Sequence, residues 1–240
     1  MPRVTLVTGG ARRLGSSIVR SFAARGDAVA IHHGSSPADA EALASALRAS
    51  GTAVHVVQAD LTDATAPARI IDEVMTVFGR LDVVVSSASV MTRHAFDMVT
   101  PAEWDVVEAV NLRAPFFLMQ AAARVMQDGG VIVQMSDHLA FEATYPYLIP
   151  HQVTKSALTQ LVHTVAAALA PRIRVNAVAP GLVLPPEDLS AEALQRFLKD
   201  VPMRRGGGPD DVVQAIHFLV DAPYVTGITL PVDGGRHLWR

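Results

Sequence analysis

The chain predicts an α/β fold, doubly wound about a parallel sheet and contained in a single domain spanning residues 1–240. Three observations carry that reading. Short runs rich in β-branched residues alternate with helical patterns from end to end. The runs rarely alternate polar with apolar, which is how strands read when helices cover both faces of a sheet. The composition, 50% hydrophobic and 18% charged over 240 residues, is enough for one large core without a second domain. In order, apolar runs at 4–7, 28–31, 53–57, 83–85, 131–133 and 173–178 read as strands. Between them, helical periodicity covers 14–25, 37–50, 65–78, 101–126 and 151–169, so successive strands are joined by right-handed crossovers. After Pro180-Gly181 the pattern breaks into an irregular segment over 182–208 holding a short amphipathic piece at 191–200. A loop of that length in a compact domain is a natural substrate lid. A helix at 209–220 and a strand at 227–232 close the sheet.

Several classes of function are excluded early. The formal net charge is -3 and the Lys and Arg residues are scattered, so the basic stripe of a nucleic-acid binder is missing. With no cysteine, there is no disulfide, thiolate metal site or cysteine nucleophile, and no metal site is expected. Met1-Pro2-Arg3 runs straight into the first strand, too short for a signal sequence. No apolar run approaches the roughly 18 residues a membrane helix needs. A cytoplasmic protein acting on a small molecule is the expectation.

The chemistry begins at Val7-Thr8-Gly9-Gly10-Ala11-Arg12-Arg13-Leu14-Gly15, which follows the first strand and opens the first helix. In that context Gly9 and Gly15 let backbone approach a pyrophosphate, whose charge is met by free N–H groups at the helix N-terminus. The fold is therefore read as Rossmann-like and the ligand as a nicotinamide dinucleotide. An acidic residue after the second strand usually binds the ribose 2′-hydroxyl of NAD. Here the segment is Ile31-His32-His33-Gly34-Ser35-Ser36, without a carboxylate. Together with Arg12 and Arg13, residues His33, Ser35 and Ser36 suit a 2′-phosphate, so NADPH is the expected cofactor. Asp60, in Ala59-Asp60-Leu61 at the end of the third strand, is placed to accept a hydrogen bond from the adenine amine.

With the glycine loop, Ala59-Asp60-Leu61, Asn111, Lys155, Pro180-Gly181 and Asp233-Gly234-Gly235 all in order, the chain resembles the short-chain dehydrogenase/reductase family over its whole length. The loop from Thr8 to Gly15, the Ser136-Asp137 pair and the tail from Asp233 to Leu238 are similar to those of pteridine and dihydromonapterin reductases. That resemblance implies NADPH, reduction of a C=O or C=N bond in a small cyclic substrate, and a homotetramer or homodimer built on the two long helices. It places Leu14, Leu61, Ser87, Ala88, Ser89, Lys155, Pro180 and Gly181 at the cofactor, and Met91, Tyr147 and Leu182 at the substrate. It also implies an active site of Asn, Ser, Tyr and Lys, with Tyr four residues before Lys on one helical face. Here Asn111 and Lys155 match, Asp137 stands for Ser as in pteridine reductases, and His151 occupies the tyrosine position.

Hydride addition leaves negative charge on oxygen or nitrogen, so a proton donor must lie within hydrogen-bond reach. An imidazole titrates near neutral pH. Asp137 and His151 are read as an acid pair, Lys155 as the grip on the nicotinamide ribose, and Asn111 as the holder of a water linking Lys155 to solvent. Three alternatives stay open at this level: His138 competes with His151, Tyr147 could donate from the preceding loop, and loss of the tyrosine could leave a catalytically silent NADPH-binding sensor or assembly protein.

Overall fold

Where the chain reverses its direction of travel across the sheet decides where a ligand can lie. In the computed structural model, which describes residues 2–142, 145–185 and 189–238, seven strands form: β1 (Val4–Thr8), β2 (Ala28–His33), β3 (Val54–Gln58), β4 (Val83–Ser86), β5 (Gly130–Met135), β6 (Ile173–Pro180) and β7 (Thr229–Val232). All pair in parallel, in the order β3-β2-β1-β4-β5-β6-β7. The chain works outward from β1 to β3, then crosses back to β4 on the far side of β1. The carboxyl ends of β1 and β4 thus frame the crevice expected at such a switch point.

Eight helices cover the sheet among the described residues: α1 (Arg13–Ala24), α2 (Pro37–Ala49), α3 (Ala66–Phe78), α4 (Pro101–Glu108), α5 (Ala114–Val125), α6 (Ile149–Leu169), α7 (Ala191–Lys199) and α8 (Pro209–Asp221). Alternate residues of each central strand feed two separate cores. Leu6, Val84 and Ile132 pack with Ile70, Leu118 and Val162 on the α3/α5/α6 side. Val7, Val85 and Val133 pack with Ile18, Phe22, Leu43 and Ile216 on the α1/α2/α8 side. Burial on both faces explains why these strands read as continuous apolar runs. No helix of the described residues is long and apolar enough to cross a membrane.

The predicted helix over 101–126 is in fact two. A π turn over Ala109–Arg113 separates α4 from α5. Pro115 supplies the physical reason: it has no N–H for the carbonyl of Asn111 four residues earlier, and its ring crowds that carbonyl. The widened turn carries Asn111, which is fully buried, and such bulges recur at functional sites. The amphipathic piece at 191–200 is α7, opened by the Ser190 hydroxyl accepting from Ala193 N–H at 3.2 Å. Part of the irregular segment, 186–188, lies outside the described residues.

The glycine loop is fixed from beneath by His32. Its Nδ1 accepts from Gly9 N–H at 3.3 Å, and its Nε2 lies 3.0 Å from the carbonyl of Ala59. These partners require a neutral ring with the proton on Nε2. Burial accordingly pushes the His32 imidazole down to about 4, with the Ala59 hydrogen bond opposing and neighbouring His33 assisting. Because the folded pKa lies below the ordinary value of 6.5, this group's contribution is whole above pH 6.5 and is lost as pH falls toward 4. We predict that His32→Gln flattens the fall in unfolding free energy across that window by about 3 kcal/mol. Denaturant titrations at stepped pH measure this, and parallel curves for the two proteins would refute it.

Candidate active site

A cleft of about 560 Å³ opens at the carboxyl ends of β1, β2, β3 and β4. From the first of these come Gly9, Arg12 and Arg13; from the second His33, Ser35 and Ser36; from the third Asp60 and Leu61; from the fourth Ser87, Ala88 and Ser89. The floor depends on close backbone approach. Gly9 sits at φ +64°, and a Cβ there would lie 2.9 Å from Ala88 Cα. The Thr8 hydroxyl accepts from the N–H groups of Ser87 at 3.1 Å and Ala88 at 3.2 Å, binding the two sides of the switch point together. Neither Thr8 nor His32 stood out in the sequence: a threonine and a histidine at strand ends carry no spacing signal.

At the outer end of the cleft, His33 is buried and its Nδ1 has no hydrogen-bond partner. Burial pushes its pKa down, with the Gly34 backbone opposing. Arg12 stands beside it, 3.8 Å from Asp39 in the first turn of α2. Arg13 takes another direction. It is held at φ +50°, a left-handed backbone that costs a non-glycine residue about 1–2 kcal/mol. Its Nη2 donates to the carbonyls of Leu184 at 2.7 Å and Pro185 at 3.4 Å, tying the loop after β6 to α1. Asp60 accepts from Thr62 N–H at 2.9 Å, and that bond holds its carboxyl below the ordinary range.

At the inner end lies Val90, whose backbone was not anticipated. Its N–H donates to Asn111 Oδ1 at 2.9 Å and its carbonyl accepts from Asn111 Nδ2 at 2.8 Å, while the Ser89 hydroxyl adds a third bond to Asn111 Oδ1. The same Val90 carbonyl is 3.3 Å from His151 Nδ1, and Asn111 Nδ2 is 3.4 Å from that nitrogen. The other ring nitrogen, Nε2, is 3.3 Å from Asp137 Oδ2. Asp137 caps a short 3-10 turn (His138–Phe141) through a 2.9 Å bond from Leu139 N–H. Burial works against its charge, but the hydrogen bond from His151 and the charge of His138 prevail, leaving the carboxyl below the usual range. Lys155, one turn after His151 on α6, is buried and donates to the carbonyl of Met135 at 2.7 Å. Burial pushes its ammonium down to about 8, with Asp137 opposing.

A carboxylate can only accept, so His151 Nε2 carries a proton whenever it bonds Asp137. Two partners then await Nδ1. A singly protonated ring accepts there from Asn111, and a doubly protonated ring donates there to Val90. The ring can gain or lose a proton without stranding a buried polar group.

Other expected site residues lie elsewhere. Asn111 bonds Val90 and faces His151 and Thr154, and Lys155 is tied to Met135. Leu14 packs on the apolar core, and Gly15 lies under the loop, where a Cβ would meet the Gly9 oxygen. Pro180 and Gly181 end β6 against the tail, a Gly181 Cβ falling 2.7 Å from Asp233 Cα. Leu182 lines a separate cavity of about 440 Å³ beneath α7. Met91 is 43% exposed and Tyr147 is 61% exposed, its carbonyl accepting from His94 N–H.

Comparison with known proteins agrees with this geometry. The family model described as enoyl-(acyl carrier protein) reductase matches residues 9–237. The 3-oxoacyl-[acyl-carrier-protein] reductase FabG of Staphylococcus aureus is 33% identical over 245 residues, covering 99% of both chains. Among solved structures, a blue fluorescent protein from a metagenomic library, in complex with NADPH, superposes with a TM-score of 0.93 at 32% identity, covering 98% of this chain and 97% of that one. FolM alternative dihydrofolate reductase 1 from Brucella canis, complexed with NADP, gives 0.93 at 33% identity, covering 99% and 95%. On the strength of a parallel sheet with its cleft at the β1/β4 switch point, and of likeness along nearly the full chain, this protein belongs to the short-chain dehydrogenase/reductase family.

Proposed function

We propose that the protein is an NADPH-dependent reductase of a C=O or C=N bond in a small cyclic, pterin-like substrate, with Asp137 and His151 as its proton-handling pair. One observation carries the reading: the inner end of the cleft and the proton pair meet at a single imidazole, with Val90 on one nitrogen and Asp137 on the other. The residues present fit the cofactor. Gly9 leaves the floor open to a phosphate, and His33, whose buried Nδ1 is unpaired, lines the same cleft and would be a partner for a ribose substituent. Arg12, beside Ser35 and Ser36 and held only by a long, exposed contact to Asp39, is the cation for a 2′-phosphate. Arg13, engaged with the loop after β6, is not assigned that role. The pterin-like substrate class draws on the glycine loop, on Asp137, and on the likeness to the alternative dihydrofolate reductase.

Bound NADPH supplies a hydride to the substrate carbon. The protein's part is the proton. In the doubly protonated state His151 donates Nε2–H to Asp137 and Nδ1–H to Val90. Delivery to the new anionic oxygen or nitrogen leaves through Asp137, whose side chain is 22% exposed against 3% for His151. The proton that leaves is the one on Nε2, so the neutral ring holds Nδ1–H on the Val90 carbonyl until a proton from solvent returns to Nε2 through Asp137. Lys155 has one N–H on Met135 and two left for ribose hydroxyls.

Against a panel of dihydropterins, quinones and diketones, NADPH oxidation is expected with at least one compound; none across the panel overturns the reading. His151→Phe and Asp137→Asn are each expected to lower kcat by about 10²–10⁴-fold, the range of general acid catalysis. Unchanged kcat in both would reject the pair, and loss in Tyr147→Phe instead would move the proton to the loop. Arg12→Ala is expected to raise the Kd of NADPH about tenfold or more while NADH binding stays within about twofold, as read by fluorescence titration. The homotetramer is proposed on the outer face of α5 and α6, where Phe116 is 38% exposed and lines two shallow grooves of about 490 and 360 Å³. Light scattering of Phe116→Asp is expected to show a smaller species than the parent; an unchanged mass refutes that face.

A further inference from the structure

A buried chain of charges runs from Asp137 away from the cofactor cleft, and the mechanism above does not use it. His138 Nε2 lies 3.7 Å from Asp137 Oδ1, and His138 Nδ1 lies 2.8 Å from Glu142 Oε1. Glu142 Oε2 lies 3.3 Å from Arg236 Nη2, in the tail after β7. The side chains of His138, Glu142 and Arg236 are only 9%, 4% and 6% exposed. Arg236 also reaches the lid. Its Nη1 donates to the carbonyl of Asp200, just after α7, at 3.3 Å and faces Asp200 Oδ2 at 3.5 Å. Its guanidinium sits 5.5 Å over the ring of Phe197 on α7, whose edge also meets His138 at 6.0 Å. It donates as well to the Tyr145 hydroxyl at 3.4 Å, in the loop before α6.

One guanidinium thus holds the lid helix, the loop before α6 and the last carboxylate of a chain that ends on the acid of the proton pair. A fork of five fixed donors suits this, and burying such a network is costly unless every charge has its partner. We infer that Arg236 is a positioning residue: acting through Glu142 and His138, it couples the docking of α7 to the placement of Asp137 against His151. The inference rests on Asp137 acting with His151. A substrate that presses α7 down thereby seats the proton donor, and a lifted α7 loosens it.

The test uses the full chain with NADPH bound. Arg236→Met is compared with Glu142→Gln, with Arg236→Lys, and with the double variant Arg236→Met/Glu142→Gln. The double variant removes both buried charges together and so keeps the comparison available if a single variant misfolds. His151 touches neither substituted residue, so its ring 15N resonances are a readout that local packing alone would not move. They are expected to shift in Arg236→Met and in the double variant, and to return most of the way in Arg236→Lys. With the most active panel compound, kcat is expected to fall about tenfold with the Kd of NADPH unchanged, and the double variant to fall no further than the worse single one. Unmoved His151 resonances with parental kcat overturn the inference, as do losses that multiply in the double variant. Failure of Asp137→Asn to lower kcat would instead remove the reading beneath it, a result obtained separately.

Discussion

The parallel pairing of β1 with β4 is the constraint from which the rest of the site descends. Thr8 stands opposite Ser86 at the last rung of that ladder, and its hydroxyl then takes the next two N–H groups of the partner strand's extension. Two chain segments that diverge in opposite directions are thereby held a van der Waals contact apart, close enough that only a glycine fits at position 9. The segment so placed continues to Val90, and Val90 is what Asn111 and His151 grip. From the cofactor loop to the imidazole, each contact presupposes the one before it.

Two buried histidines inside this frame, His32 and His151, are each given partners at both ring nitrogens. His32 is held neutral between a donor and an acceptor, whereas His151 has partners for two states at the same nitrogen. The difference lies in the second nitrogen. That of His32 faces a backbone carbonyl, which stabilises a neutral donor well enough. That of His151 faces a carboxylate. In the proposed mechanism these two buried histidines take different tasks, one a fixed strut and one a proton carrier.

The strands, the helices and their alternation were legible because each obeys a local rule of period and branching. All seven strands lie within a residue or two of their predicted bounds. The break at Ala109–Arg113 was not read, although Pro115 marks it, because a proline near a helix start is also ordinary. Within the site, Asp137 after β5 and His151 on α6 carry side chains that a sequence can single out, and the two lie 3.3 Å apart. Backbone partners cannot be so singled out: nothing in a valine announces that its carbonyl will face an imidazole. Arg12 and Arg13 show the same limit. Adjacent and chemically alike, they are sent apart by one left-handed residue, and only the backbone angle decides which faces the cleft's outer end.

The proposal that an imidazole takes the place of a phenol at position 151 has a consequence that runs through the neighbours. A phenol loses its proton to become an anion, and a nearby ammonium helps it; an imidazole loses its proton to become neutral, and a nearby ammonium opposes its recharging. Lys155 sits one turn away on the same helix, and Asp137 is a charge that acts on it and also contacts His151. Burial of Asp137 demands cations in return. His138 answers on one side and, beyond it, Glu142 requires Arg236. In the proposed site the imidazole, the carboxylate and the buried chain behind them are linked by contacts from His151 through Asp137, His138 and Glu142 to Arg236.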